Sequence, residues 1–383
     1  MDELTALRGE IDVIDRQIAG LLQQRMDVTY RVGQYKVKHQ MNVLDEAREK
    51  QVLEAKAALS DDPAMQSALT TVFETIMSLS RKQQRQLVQE RDPWYDRYQA
   101  DRAQARLPLE HPRVLYQGEP GAYSEEAAAR FFGEDAPRER VDTWEEIFLA
   151  LKERRADYGV LPIENNSTGS INQVYDLLGR YGAHIVGEQT VKVEHCLMAP
   201  EGAALESITD VYSHEQGLLQ CEGFLKEHPA WKGHAMLNTA AAAKYVAESG
   251  NRSMAAIGSR RAAAIYGLKA LREGINFNAD NYTRFVVVSP VMELREGANK
   301  VSALFTLPHR SGTLHRIMSV FAVAGLNMMK LESRPVAGKS WEYLFFVDFT
   351  GNLEEPGMDG VIHELTQTAS GFRVLGNYRA SGE

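Results

Sequence analysis

Cysteine is scarce. Cys196 and Cys221 are the only two in 383 residues and they stand in no CxxC spacing, which excludes a disulfide framework and predicts a reducing compartment. No export signal is expected either: the start, Met1-Asp2-Glu3-Leu4, is acidic, and no short apolar core with a small-residue cleavage site follows. The main charge-free apolar stretch, Ile317 to Met329, falls short of the roughly 20 residues a membrane-spanning helix needs. A cytoplasmic protein with no membrane partner is expected. Positive charge is also in deficit, with 43 Lys and Arg against 52 Asp and Glu and a formal net charge of -9. That balance disfavours nucleic acid as a partner and leaves any anionic ligand to locally placed Arg and Lys. The histidines are scattered, His195-Cys196 and His214-Glu215 lack a second ligand pair at zinc spacing, and no HExxH occurs, so no metal is expected.

With 44% hydrophobic and 25% charged residues the chain reads as folded and globular, and its length predicts about two to four domains. Breakers are missing from the first 92 residues, which hold only Gly9, Gly20, Gly33 and Pro63. That zone is predicted helical. Leu4, Leu7, Ile11, Ile14, Ile18, Leu21, Val28 and Val32 form a coiled-coil-like seam on a helix over 30 residues long, which needs partner helices, a second copy of the chain among them. Breaks at Asn42–Asp45 and Asp61–Pro63 precede a second and a third helix, the third with Leu69, Val72, Phe73, Ile76 and Leu87 facing inward. Residues 93–112, charged and interrupted by Pro93, Pro108 and Pro112, read as a linker. From 113 to 291 short apolar runs alternate with helical stretches, an α/β pattern with a largely parallel sheet. A polar boundary at 295–299 leads to 298–383, where the order is βαββαβ, the ferredoxin-like plan.

Charges interrupt the helical seam where a core is expected. Arg25 takes an apolar slot, and Lys36, 11 residues on, projects from nearly the same face. Ser80 and Gln83 continue the stripe of Phe73 and Ile76, and Asp45, Arg48 and Glu49 stand at i, i+3 and i+4. Taken singly, Arg48 and Glu49 also fit an exposed ion pair and Arg25 a snorkelling residue. Together they pair internally or line a wet cavity, because an unpaired buried charge is costly. This zone resembles the AroQ-type chorismate mutases, all-helical dimers whose motif residues fall on Arg8, Arg25, Lys36, Asp45, Arg48, Glu49, Ser80 and Gln83. The resemblance implies that Arg8, about 100° round the helix from Arg25, serves the partner chain's site. It further implies that Arg8, Arg25 and Arg48 bind the carboxylates of chorismate, that Lys36 and Gln83 donate to its ether oxygen, and that Glu49 holds its hydroxyl.

Two turns share one grammar. Tyr116 to Ser124 and Pro162 to Ser170 each follow a strand, pass through Gly and small polar residues and open a helix, which suggests one lined cleft; Ser124 fits equally well as a plain N-cap. With Ser213-His214, Gln220-Cys221, Asn238-Thr239-Ala240 and Thr283-Arg284-Phe285 these segments resemble prephenate dehydratase. The resemblance implies two α/β lobes like those of periplasmic solute-binding proteins and no cofactor. Its catalytic residues fall on Thr283, Glu164, Asn165, Ser213 and Gln220, and substrate-binding residues on Tyr123, Ser124, Ser167, Thr168, Arg284 and Phe285. Thr283 by itself also reads as the β-branched head of a strand. Departures are Glu215, where relatives often carry Pro, and Asn238, where Ser is usual.

In the last zone Glu332-Ser333-Arg334-Pro335 matches a motif of phenylalanine-binding ACT domains, although Arg334 and Pro335 also suit a strand end. The partner motif stands as Gly312-Thr313-Leu314, with Thr for the usual Ala. The whole chain thus resembles the bifunctional chorismate mutase/prephenate dehydratases. This implies chorismate and prephenate as substrates, L-phenylalanine as effector at an interface between two ACT domains, and a homodimer or higher oligomer. A dehydratase with a dimerisation arm would carry apolar residues at 25 and 36, and a solute receptor would carry an export signal.

Overall fold

The computed structural model describes residues 3–85, 87, 93–310, 312–336 and 342–382, so the expected end of the helical zone at residue 92 lies outside the described residues. Low Gly and Pro content lets three helices run: α1 (Glu3–Lys38), α2 (Glu46–Ala57) and α3 (Pro63–Arg85). Asp45 caps α2 by accepting from the Arg48 backbone N–H at 3.0 Å. The close approach of α3 to α1 depends on Gly33, where a Cβ would lie 3.0 Å from Leu87 and 3.2 Å from Gln84. The N-terminal half of α1 has no such neighbour, and Leu4, Leu7, Ile11, Ile14, Ile18 and Leu21 stay between 50% and 64% exposed. Val72, expected inward, is exposed. One residue before Phe73, it is turned about 100° off the buried stripe.

Residues 93–112 depart from the expected linker. Pro93 opens a helix, α4 (Pro93–Ala103), which docks on the C-terminal domain. Tyr98 is buried and donates to Asp359 at 3.1 Å, and Arg102 pairs with Asp359 at 2.7 Å. Its anchors are aromatic and its ion partner lies more than 250 residues away, so no local apolar period marks the helix.

Lobe one consists of β1 (Val114–Gln117), α5 (Tyr123–Phe132), β2 (Arg138–Val141), α6 (Trp144–Lys152), β3 (Tyr158–Asn165), β4 (Gly169–Ser170), α7 (Asn172–Tyr181) and β5 (His184–Lys192). The chain crosses to lobe two with β6 (Cys196–Ala199), β7 (Asp210–His214), α8 (Glu215–Gln220), α9 (Glu222–Lys226), β8 (Lys232–Met236), α10 (Thr239–Ser249), β9 (Met254–Gly258), α11 (Arg260–Ile265) and β10 (Lys269–Glu273). It returns to lobe one with β11 (Tyr282–Ser289). The sheet orders are β2-β1-β3-β11-β5, with β4 against β3, and β10-β6-β9-β7-β8. Only part of each sheet is parallel, contrary to the expectation: β1 pairs parallel with β2 and β3, and β7 with β8 and β9. The pairings of β11 with β3 and β5, and of β6 with β9 and β10, are antiparallel, since strands crossing between lobes enter from the opposite end.

The C-terminal domain runs β12 (Lys300–Leu307), α12 (Thr313–Val323), β13 (Met328–Pro335), β14 (Tyr343–Thr350), α13 (Met358–Thr368) and β15 (Ser370–Tyr378), in the expected βαββαβ order. Its sheet, β13-β14-β12-β15, is antiparallel throughout. Strand alternation divides its two faces. Val301, Ala303, Phe305 and Leu307 pack on α12 and α13 with Ile317, Phe321, Ile362 and Leu365. Leu304, Phe346, Leu375 and Tyr378 share a core with Phe148, Tyr175, Leu178 and Ile185 of lobe one.

Two further features lock this junction. A Cβ at Gly376 would lie 1.7 Å from the Ile185 carbonyl oxygen, so β15 and β5 approach backbone to backbone. Behind them lies a buried ion cluster. Arg284 reaches Glu164 at 2.6 Å, Glu188 at 2.8 Å and Asp348 at 2.9 Å; Lys300 pairs with Glu188 at 2.7 Å, and Lys330 with Glu164. Burial alone would raise the carboxyl pKa values, but Arg284 and the lysines hold Glu164 and Glu188 below the ordinary range.

Gly376→Val should destabilise the chain by about 2 kcal/mol or more through overpacking, read as a lower urea midpoint, and unchanged stability contradicts the close approach. Acid should act in two stages. Burial, helped by Arg373, pushes His184 down to about 3, so the unfolded chain binds its proton first and stability falls once pH drops below about 6.5. Glu164 and Glu188, depressed when folded, add a further loss below about pH 4.5. A urea midpoint flat from pH 7 to about 5 contradicts the first stage, and one flat from about pH 4.5 to 3 contradicts the second.

Candidate functional site

The helical zone brings together only part of its expected set. Arg25 donates to Ser80 Oγ at 2.6 Å, and Ser80 in turn donates to the Ile76 carbonyl at 2.8 Å. Burial lowers the Arg25 pKa. Lys36 donates to the Val43 carbonyl in the turn before α2. Glu49 accepts from Arg81 at 2.5 Å. Arg81 is buried and was missed, because within Arg81-Lys82 it reads as surface charge. Gln83 Oε1 is buried without a hydrogen-bond partner among the described residues. Asp45 spends its carboxylate on the α2 cap, and the side chain of Arg48 is exposed. Arg8 is exposed about 25 Å along α1 from Arg25, so one chain does not unite them.

Between the lobes lies a cavity of about 560 Å³. Of the expected residues, Tyr123, Ser124, Asn165, Thr168, Gln220, Thr283 and Phe285 line it; Glu164, Ser167, Ser213 and Arg284 do not. The division follows strand geometry. On β11, Thr283 and Phe285 face the cavity and Arg284 faces away. On β3 a register shift opposite Arg284/Phe285 inserts Ile163, so Pro162 and Asn165 share the cavity face while Glu164 turns to the C-terminal domain. Ser213 is fully buried and donates to the Ile257 carbonyl at 2.8 Å, while the next residue, His214, lines the cavity. Ser167 accepts from Asn278 outside it at 2.9 Å. Ser124 is not an N-cap: Ala122 holds that position, and Ser124 Oγ donates to the Gln117 carbonyl.

The Asn165 side chain organises the floor. Its amide donates to Thr283 Oγ1 at 2.9 Å and to Asn281 at 2.7 Å, and its oxygen accepts from the backbones of Ser167 and Thr168 at 2.9 and 3.0 Å. Thr283 therefore receives a hydrogen bond and keeps its own proton for the cavity. The glycine turn serves the lobes themselves. Gly121, at φ +87°, packs where a Cβ would lie 2.7 Å from Ala262 of α11, and Ser259 donates to its carbonyl at 2.8 Å.

Among the described residues no Lys or Arg lines this cavity, against the expectation that cations hold the anion. Instead the N-terminal ends of α5, α6, α7 and α10 open onto it through Tyr123 and Ser124, Thr143 and Trp144, Ile171, and Asn238 and Thr239. Thr143 and Asn238 each cap one N–H of α6 and α10; the remaining N–H groups and the helix dipoles favour carboxylates. His195 also lines it and was missed, since the sequence shows only an isolated His beside Cys196.

A separate cavity of about 270 Å³ in the C-terminal domain is lined by Gly312, Thr313 and Leu314 with His309, Tyr343 and Phe345. Glu332, Ser333, Arg334 and Pro335 lie elsewhere, on β13: Glu332 accepts from Ser170 at 2.6 Å, and Arg334 pairs with Asp176 at 3.0 Å. Among the described residues no cluster of His, Cys, Asp and Glu could hold a metal ion, and no helix is long and apolar enough to cross a membrane.

Comparison with known proteins follows the same division. Residues 7–85 match the family model described as Chorismate mutase type II, and residues 114–293 that described as Prephenate dehydratase. The bifunctional chorismate mutase/prephenate dehydratase of Escherichia coli (strain K12) is 33% identical over 387 residues, covering 98% of this chain and 96% of its own. That of Aquifex aeolicus (strain VF5) is 31% identical, covering 99% and 98%. The solved structure of a prephenate dehydratase from Arthrobacter aurescens in complex with L-Phe matches with a TM-score of 0.64 at 28% identity, over 70% of this chain and 90% of that one. With both activities named by relatives that align from end to end, the chain belongs to the bifunctional chorismate mutase/prephenate dehydratases, an isomerase and a lyase of phenylalanine biosynthesis in one polypeptide.

Proposed function

We propose that residues 1–92 perform the rearrangement of chorismate to prephenate and that the inter-lobe cavity of residues 113–291 performs the loss of CO2 and water that gives phenylpyruvate. The first step transfers no proton, so restraint and complementary charge suffice. Arg25, Lys36, Ser80 and Gln83 supply that charge and hydrogen bonding, Glu49 is held by Arg81, and Asp45 and Arg48 fix the start of α2. Arg8 is assigned to the site of a second chain. The exposed apolar seam of α1 supports that homodimer, because no described residue covers it.

The observation that carries the dehydratase assignment is the Asn165–Thr283 hydrogen bond, which leaves the Thr283 proton for the departing hydroxide. A cavity without cations suits the other leaving group, since a carboxylate neutralised by Arg or Lys would be stabilised more before it leaves than after. The helix ends are left to hold the carboxylate that stays. Residues 298–383 are assigned as a ferredoxin-like ACT domain that confers feedback inhibition by L-phenylalanine, the ligand named for the Arthrobacter protein. The cavity at Gly312–Leu314 would take one part of the effector, and Glu332–Pro335 of a second domain the other. The cytoplasm is the compartment that fits two free buried thiols.

Following chorismate and phenylpyruvate in one sample tests the division of labour. Thr283→Val should lower phenylpyruvate formation by about 100-fold or more while chorismate is still consumed and prephenate accumulates. Retained dehydratase activity removes Thr283 from the mechanism.

A further inference from the structure

The cavity contains a second oriented donor, built on a residue that the reaction has not so far used. Gln220 on α8 lines the cavity, and its Oε1 lies 3.0 Å from His195 Nε2. His195 Nδ1 lies 3.2 Å from the Tyr123 hydroxyl, which is also 3.1 Å from the Glu194 carbonyl. The backbone holds the ring in place, with His195 N–H donating to Asn276 at 3.0 Å and its carbonyl accepting from Ile275 at 3.1 Å. His195 is 2% exposed and Gln220 9%.

We propose that His195 is a positioning residue of the dehydratase site: clamped between Tyr123 and Gln220, its imidazole fixes the Gln220 amide so that the NH2 group donates into the cavity beside Thr283. The inference rests on the assignment of this cavity to the lyase step. A carbonyl oxygen only accepts, so the hydrogen bond to Gln220 Oε1 puts the ring proton on Nε2. Nδ1 of the neutral ring is then bare and faces the Tyr123 hydroxyl, whose single proton is shared between Nδ1 at 3.2 Å and the Glu194 carbonyl at 3.1 Å. Burial holds the His195 pKa below its ordinary value, which favours the neutral ring. With its oxygen engaged, Gln220 has only its NH2 to offer, and no described residue takes it. Asn165 does for Thr283 what His195 does for Gln220, so two donors are aimed by two neighbours. The NH2 would stabilise the negative charge that grows on the departing hydroxide or remains on the substrate carboxylate.

A double-variant cycle in the full chain tests this, with mutase activity and the melting curve as controls for folding. His195→Leu should lower dehydratase kcat by about 30-fold with KM for prephenate within about threefold, and His195→Gln, whose amide can still donate to Gln220, should recover most of the loss. In a Gln220→Ala background, His195→Leu should cost less than about threefold more, because the group it positions is gone. If His195→Leu does not fold, His195→Asn, polar but too short to reach Gln220, takes its place in the cycle. A His195 variant with unchanged kcat, or a loss that multiplies in full with that of Gln220→Ala, overturns the proposal while leaving the cavity assignment intact. Wild-type turnover in Gln220→Ala alone overturns its role as a donor and the His195 proposal with it, whereas the cavity assignment still stands or falls with Thr283.

Discussion

Arg284 cannot be withdrawn from its three carboxylates without leaving charge buried, and much of the structure depends on that constraint. Three cations, Arg284, Lys300 and Lys330, face three anions, Glu164, Glu188 and Asp348, so the cluster is neutral as a whole. Each residue comes from a different strand: β3, β5 and β11 in lobe one, β12, β13 and β14 in the C-terminal domain. Removing one member of such a cluster strands the others and costs about 3–5 kcal/mol, whereas the intact set fixes the register of the two sheets. The front faces of β3 and β11 carry Asn165 and Thr283. The ions on the back therefore set the position of the hydrogen-bonded pair at the cavity floor, and any movement of the C-terminal domain acts on strands that line the cavity.

The same partition explains the electrostatics. A dianionic substrate suggests cationic ligands, yet the cations next to the cavity strands are spent behind them. What remains in front is a set of helix N-terminal ends, amides, hydroxyls and the imidazoles of His195 and His214, with one carboxylate, Asp142, at the rim. These favour an anion without neutralising it, which is compatible with a step in which a carboxylate must lose its charge as CO2. The helical site differs because its reaction expels nothing. There the proposed cations Arg25 and Lys36 are half-buried, Arg25 on Ser80 and Lys36 on the Val43 carbonyl.

Most of the element order was legible in the sequence because it depends on local periodicity and breakers: the long first helix, the break before the second and the βαββαβ zone all follow from spacing. Thr283, Asn165 and Gln220 were legible through motif resemblance. Glu164 and Arg284 belong to the same motifs yet lie on the opposite face, because each neighbours a cavity-facing residue on its strand, Asn165 and Thr283, and side chains alternate; the inserted Ile163, which brings Pro162 onto the face of Asn165, carries no composition signal. Arg81, His195 and α4 were missed for a common reason. Each is defined by a partner distant in sequence, Glu49, Gln220 and Asp359 respectively, and pairwise burial of that kind leaves no periodic trace.

The central claim is that Arg284 serves the junction and not the substrate. Arg284→Lys tests it, since Lys keeps the charge but cannot fork to three carboxylates. Prephenate KM and the urea midpoint are measured on the same preparation. The account predicts a KM within about threefold of wild type together with a stability loss of about 2 kcal/mol or more. A KM raised about tenfold or more at unchanged stability would return Arg284 to the substrate and contradict the account.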